Sequence, residues 1–359
     1  MLIFDAHLDL SMNAMEWNRD LTLPVSSIRA TEHGMTDLRG RELGTVSFPE
    51  MRKGEIGICV GTLIAPCSRP ENPIRGWHSP EAAWAQINGQ LAYYRAMESA
   101  GEISLIENAV ALTKAIHHWT EPAGAAETLT PIGVIVSLEG ADPILHIGQL
   151  EELYASGLRA LGPAHYGAGR YANGTNATGG LPPQGRELIK EMDRLGIILD
   201  VTHLCDDCFW EALEIYNGTI WASHSNCREL VPHNRQFSDE QLRALFDRNA
   251  VIGAVMDTWM IVPGWERGVS TPSSAGATLD VLIDHIDHIC QLAGSSRHCG
   301  IGSDLDGGFG KEQSPLEIDT IADITLLHDK LAAHGYTADD IAGILHGNFV
   351  RVLTSAWAS

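Results

Sequence analysis

Apolar runs of strand length recur along the chain, each followed by a helical pattern or a long loop. They are LIFDAH (2–7), IGICVGT (56–62), IGVIVSLE (132–139), LRALGPAH (158–165), GIILDVTH (196–203), TIWASHS (219–225), AVIGAVM (250–256) and HCGIGSD (298–304). The runs are continuous rather than alternating, as expected of parallel strands covered on both faces. Amphipathic segments fall between them at 80–100, 184–195, 205–216, 238–248 and 278–293, and two more, near 318–333 and 338–354, follow the last strand. Ser238, ahead of Asp-Glu-Gln and an apolar periodic run, predicts a helix N-terminus. Eight strands with helices between them predict an α/β fold, a (β/α)8 TIM barrel. No internal repeat or linker interrupts the pattern, so residues 1–359 are read as a single catalytic domain. The long polar loop from about 10 to 50 and the Gly/Asn/Thr-rich segment 166–183 are expected to shape the mouth of the barrel.

Composition narrows the class. The 359 residues are 44% hydrophobic and 19% charged, ordinary for a globular chain, which excludes disorder and collagen-like structure. With 24 Lys and Arg against 46 Asp and Glu the net charge is −22, which argues against nucleic acid or an anionic membrane as partner. It suits a soluble enzyme that binds cations. No stretch approaches the ~18 consecutive apolar residues of a membrane span. The N-terminus MLIFDAHLDL shows no charged leader or cleavage site, so a cytoplasmic location is expected. Seven cysteines, an odd number, fit reduced and mostly buried thiols rather than a disulfide scaffold. Cys205 and Cys208 form a C-x-x-C without a second pair at zinc-ribbon spacing, and read as two thiols in the first turn of a helix.

The side chains able to hold a metal are not scattered. His7 and Asp9 leave the first strand, Glu139 ends the third, His165 closes the fourth, His203 the fifth, His224 the sixth and Asp304 the eighth. In a TIM barrel these strand ends meet on one face, where such enzymes place their active sites. Any one histidine at a strand end is more often structural than a ligand. The joint placement at the same end of six strands is what argues for a site. His7 and Asp9, at i and i+2, share a face of an extended segment and can grip one ion together. Imidazoles with carboxylates and no thiolate suit zinc or a similar metal in a catalytic site. The number of ligands implies two ions, with His7 and Asp9 as one half-site, His203 and His224 as the other, and Glu139 bridging them. Asp304 is then placed to orient or deprotonate a water and pass its proton to a leaving amine.

The motifs DAHLDL (5–10), SLEG (137–140), PAHY (163–166), DVTH (200–203), SHSN (223–226), HNR (233–235), IGSDLDGG (301–308) and ILHGNFVRVL (344–353) together resemble the membrane (renal) dipeptidase family in order and spacing along essentially the whole chain. The resemblance implies a dizinc dipeptidase on an amidohydrolase-like barrel. By position, His7, Asp9 and Glu139 resemble the ligands of the first zinc, and Glu139, His203 and His224 those of the second. His165 resembles the residue that contacts the substrate carbonyl or the tetrahedral oxyanion, Arg235 the one that binds the substrate α-carboxylate, and Asp304 the one that handles the proton of the attacking water. Arg228, seven residues before Arg235, is the rival for the carboxylate role. Mammalian members carry a signal peptide and a lipid-anchor tail; neither is expected here, so the resemblance is to a soluble bacterial-type member.

The expected activity is hydrolysis of dipeptides, with a D-residue tolerated on the carboxyl side. One alternative is another amidohydrolase-type barrel acting on cyclic amides, lactones or phosphoesters. Many of those bridge their metals with a carbamylated lysine on the fourth strand, and LRALGPAH has no lysine. A second alternative is a non-catalytic metal- or peptide-binding barrel, which predicts loss of a ligand or of the proton-handling acid, whereas every position is filled. A homodimer is the default expectation for a soluble enzyme.

Overall fold

The computed structural model describes residues 1–69, 76–121 and 129–358. Its strands are β1 (Ile3–Leu8), β2 (Ile56–Ile64), β3 (Ile103–Leu105), β4 (Ile132–Glu139), β5 (Leu158–Gly162), β6 (Ile198–Asp200), β7 (Ile220–Trp221), β8 (Ile252–Ala254) and β9 (Cys299–Ile301). Eight are hydrogen-bonded in the order β7-β6-β5-β4-β2-β1-β9-β8. A parallel bridge between Ala222 and Ile252 joins the two ends. The predicted eight-stranded (β/α)8 barrel is therefore present.

The additional strand, β3, has no counterpart among the predicted runs. Its three residues pair with Ile132–Val134 of β4, just ahead of Val136, where β5 takes over the same edge. A strand that short carries no periodic signal. Strands β5 to β9 are also shorter than the apolar runs that predict them, whereas β1 and β4 match theirs in length and β2 is longer. His165, His203 and Asp304 lie three residues past their strands and His224 three past Trp221.

The predicted interior helices appear as Pro80–Ser99, Pro183–Leu195, Asp206–Ile215, Asp239–Asp247 and Leu279–Ala293. Ser238 caps the fourth of these reciprocally: its hydroxyl accepts from the Gln241 N–H, and the Gln241 side chain accepts from the Ser238 N–H. Cys205 is the N-cap of Asp206–Ile215 and Cys208 lies in its first turn, as expected. The two C-terminal segments are not continuous helices. The first opens as the 3-10 turn Ile321–Thr325 before Leu326–Ala333; the second holds a π-helical turn, Gly343–Gly347, between Ala338–Ala342 and Asn348–Ala356. Gly343 and Gly347 flank that turn, where their low helix propensity makes a local departure inexpensive. The stretch read as one long loop from 10 to 50 contains three short helices, Leu10–Met15, Val25–Thr31 and Phe48–Lys53.

Two apolar layers hold the barrel. The inner one joins Phe4, Ala6, Ile58, Val60, Ile135, Ala160, Ile198 and Trp221, and is plugged from below by Phe349, Val352 and Leu353 of the last helix. Phe349 stacks on Phe4 with ring centroids 5.1 Å apart. The outer layer joins Ile3, Cys59, Val134, Val136 and Leu138 to the surrounding helices. This two-residue alternation decides where the site can form. Glu139 shares parity with Ile135, so the last residue of β4 points into the barrel mouth. Close approach matters most beneath β7, where a Cβ on Gly302 or Gly253 would stand 1.8 or 2.0 Å from the Ser223 carbonyl oxygen. Glycine at both positions lets the ends of β8 and β9 close under His224. Among the described residues no helix is long and apolar enough to cross a membrane.

Candidate active site

A cavity of about 940 Å³ opens over the C-terminal ends of the strands, and Asp9, Glu139, His165, His203, His224, Arg235 and Asp304 all line it. His7 lies beneath, almost wholly buried. The residues singled out in the sequence thus converge on one place.

Glu139 is the centre of the arrangement. Its Oε2 lies 3.7 Å from His7 Nε2, while its Oε1 lies 3.2 Å from His203 Nε2, 3.5 Å from His224 Nε2 and 3.9 Å from His165 Nε2. The two oxygens of one carboxylate therefore face two separate sets of ligands. His7 Nε2 is also 3.8 Å from both Asp9 Oδ1 and Asp304 Oδ1. Three groupings of donor atoms lie close enough to share an ion: His7 with Asp9 and Glu139, Glu139 with His203 and His224, and His7 with His224 and Asp304.

The chemistry of these donors fits metal ions. Burial pushes the imidazoles of His7, His203 and His224 far below their ordinary range, and the nearby Arg235 charge adds to the effect, so all three are neutral and offer a lone pair. His7 Nε2 is buried without a hydrogen-bond partner among the described residues. Burial raises Asp9 to about 6, against the hydrogen bond from Thr62. It raises Glu139 and Asp304 strongly, with Asp9 adding repulsion to both. Three carboxylates forced together out of water, facing neutral imidazoles, form a cradle that cations would relieve. Nitrogen and oxygen donors with no thiolate suit zinc-like ions.

The ligands are held from behind by groups that the sequence pattern did not identify. Thr175 Oγ1 lies 3.0 Å from His203 Nδ1, and Ser223 Oγ lies 2.8 Å from His224 Nδ1, which turns both Nε2 atoms toward Glu139. The Thr62 hydroxyl, on β2, donates to Asp9. Two buried aspartates tie neighbouring strand ends together. Asp5 accepts from the N–H of His7 and from the N–H and hydroxyl of Ser303, next to Asp304. Asp200 accepts from the N–H of Thr202 and of Ser223, between His203 and His224. Their signal was a charge inside an apolar run, in LIFDAH and GIILDVTH. His203 and Asp304 adopt left-handed backbone, φ 68° and 58°, which re-aims each side chain where its strand has ended.

The two arginines separate cleanly. Arg228 makes a two-pronged ion pair with Asp206, 2.7 and 2.9 Å, and does not line the cavity. Arg235 is 3% exposed, donates through Nη2 to the His224 carbonyl, and has no carboxylate partner among the described residues; its Nε has no partner at all there. A buried, unpaired guanidinium on a cavity wall is a receptor for an anion. His165 is held neutral, with burial pushing it down to about 3.

Comparison with known proteins agrees with this geometry. A sequence profile of the membrane dipeptidase family, peptidase family M19, matches residues 1–358. A protein of unassigned function encoded in the pqqA 5′ region of Klebsiella pneumoniae is 31% identical over 235 residues, 63% of this chain and 83% of that protein. Dipeptidase aclJ of Aspergillus oryzae is 24% identical over 315 residues, 86% of this chain and 69% of that protein. Among solved structures, dipeptidase AC, a family M19 metallopeptidase, superposes with a TM-score of 0.77 at 22% identity, covering 100% of this chain and 99% of that one. A Rhodobacter sphaeroides metallopeptidase liganded with a phosphinate mimic of L-Ala-D-Ala superposes with a TM-score of 0.76 at 21% identity, covering 99% of both chains. The chain belongs to the membrane dipeptidase family, peptidase family M19, and is a metallodipeptidase.

Proposed function

We propose that the protein hydrolyses dipeptides with two zinc ions, one held by His7, Asp9 and Glu139 and the other by Glu139, His203 and His224. The observation that carries this reading is the split of Glu139, whose Oε2 faces His7 while its Oε1 faces His203 and His224. When bound, such a pair supplies Lewis acidity at the scissile carbonyl and lowers the pKa of the attacking water. Arg235 receives the α-carboxylate of the C-terminal residue and so fixes which peptide bond lies over the site. His165, neutral and with Nε2 facing the cavity, donates a hydrogen bond to the carbonyl oxygen as it gains charge. Asp304 takes the proton of the attacking water and returns it to the leaving amine, a task suited to a carboxylate whose pKa burial has raised.

A D-residue on the carboxyl side fits the same reading, and the L-Ala-D-Ala mimic in the Rhodobacter sphaeroides metallopeptidase supports it. The test is a panel of L,L and L,D dipeptides assayed with zinc-loaded protein. Turnover of free dipeptides, including L,D pairs, is expected, with little on tripeptides. Turnover of lactones or phosphoesters in place of every dipeptide would contradict it.

A further inference from the structure

The cavity is much larger than the metal-facing cluster, and its far wall carries a charge that the proposed chemistry leaves unused. Helix Leu10–Met15 starts from its N-cap, Asp9, and ends at its C-cap, Glu16, which keeps helical dihedrals. Asp9, Met12 and Glu16 stand at i, i+3 and i+7, so they share one helix face, and all three line the cavity. Seven residues at 1.5 Å each place Glu16 about 10 Å along the wall from Asp9. Between them lie the Met12 side chain and Ile64, the last residue of β2, which together make an apolar track.

Glu16 is an acid without a counter-ion among the described residues. Its Oε1 accepts from the side-chain amides of Gln86, 3.1 Å, and Gln90, 3.5 Å, both on the helix Pro80–Ser99. Its Oε2 has no hydrogen-bond partner or cation there. Glu16 stays exposed to the open cavity, and partial desolvation raises its pKa against the hydrogen bond from Gln86.

Barrel order fixes which part of a substrate meets this wall. In the closed order β2 and β7 are four strands apart in either direction, hence diametrically opposed. Arg235 follows β7, whereas Ile64 ends β2 and Glu16 follows β1. A dipeptide with its α-carboxylate on Arg235 and its peptide bond over Glu139 therefore points its N-terminal residue at the Met12–Ile64–Glu16 wall. The α-amino group sits two bonds from the scissile carbon and cannot span about 10 Å. A long side chain can.

The geometry points to Glu16 as a specificity-determining residue that selects dipeptides with a cationic N-terminal side chain, lysine or arginine, whose aliphatic stem lies along Met12 and Ile64. This rests on the dipeptidase reading above. The probes are lysyl-alanine and norleucyl-alanine, which share stem length and differ in the terminal ammonium. With the zinc-loaded wild type, kcat/KM for the lysyl substrate is expected to exceed the other roughly two- to fivefold, the range for an ion pair at an exposed carboxylate, chiefly through KM. Glu16→Gln should collapse the ratio toward one, and Glu16→Lys should bring it below one. A wild-type ratio of one or less, or a ratio that neither substitution changes, overturns the assignment of Glu16 while leaving the dipeptidase reading intact. Failure of the wild type to cleave either substrate overturns both.

Discussion

Asp304 and Asp306, two residues apart and both in left-handed backbone, serve different parts of the molecule. Asp304 faces the cavity, 3.8 Å from His7 Nε2, and a Cβ on Gly307 would stand only 1.8 Å from its Oδ1. Asp306 points away, accepting from the N–H and hydroxyl of Thr45, the N–H of Val46 and the Arg19 guanidinium. It fastens the segment after Leu10–Met15 to the end of β9, and Arg19 in turn pairs with Glu32.

The two aspartates should therefore fail differently. Asp304→Asn is expected to keep its metal and lose kcat by ~10²–10⁴-fold, the range for a group that transfers a proton. Asp306→Ala leaves the buried Arg19 without one of its two carboxylates and should cost about 3–5 kcal/mol of stability. Denaturant unfolding and metal content, measured on both, separate the roles. Metal loss in Asp304→Asn would make it a ligand instead.

The proposed role of Arg235 makes a free substrate carboxylate a requirement. Arg235→Met should weaken kcat/KM for free dipeptides by roughly 2–5 kcal/mol, the cost of stranding a buried charge partner. Wild-type protein should discriminate against C-terminally amidated dipeptides, and the variant should not. Equal rates on free and amidated substrates in the wild type would remove this role.

The Thr175 hydroxyl bears on the site through His203 Nδ1. Thr175→Val removes the hydroxyl at Nδ1 while nearly preserving volume, and should weaken metal affinity about 10–100-fold. Competition with a chelator of known affinity reads this directly, and Thr175→Ser should restore it. Unchanged affinity in Thr175→Val would show that His203 needs no such support.

His285 gives the fold a pH dependence away from the metal cluster. It is fully buried, with Nδ1 accepting from the Cys227 N–H at 3.2 Å and Nε2–H donating to the Ile261 carbonyl at 3.0 Å, so only the neutral ring fits. Burial pushes it down to about 4 from 6.5. Between these values the unfolded chain binds the extra proton, so stability falls as pH drops from 6.5 to 4, by roughly 3 kcal/mol from this group. His285→Gln should flatten that limb of the stability–pH curve, as read by urea unfolding. An unchanged slope would assign the effect elsewhere.

The barrel and the metal cluster were legible because six of the eight apolar runs carry a ligand-type residue at or just beyond the same end, and a barrel brings those ends together. Glu139 was placed by its position at a strand end, and His7 with Asp9 by spacing. The supporting residues were not legible in this way. Thr62 and Thr175 are ordinary hydroxyls until the fold sets them against Asp9 and His203, more than fifty and nearly thirty positions away. Asp5 and Asp200 are charges within apolar runs, but their roles depend on partners that lie on neighbouring strands. Arg235 was preferred to Arg228 by resemblance alone, and the physical reason came with the fold, where Asp206 claims Arg228 and Arg235 lines the cavity. Strand β3 and the π-turn Gly343–Gly347 were missed because three to five residues carry no period.

The most direct test of the central claim is a zinc titration of metal-free protein, with dipeptide hydrolysis followed at each addition. A carboxylate that bridges two half-sites predicts that activity reaches its full value at two equivalents per chain. It also predicts that Glu139→Gln holds zinc weakly at both sites and does not turn over. Full activity at one equivalent, with Glu139→Gln still active, would contradict the binuclear account.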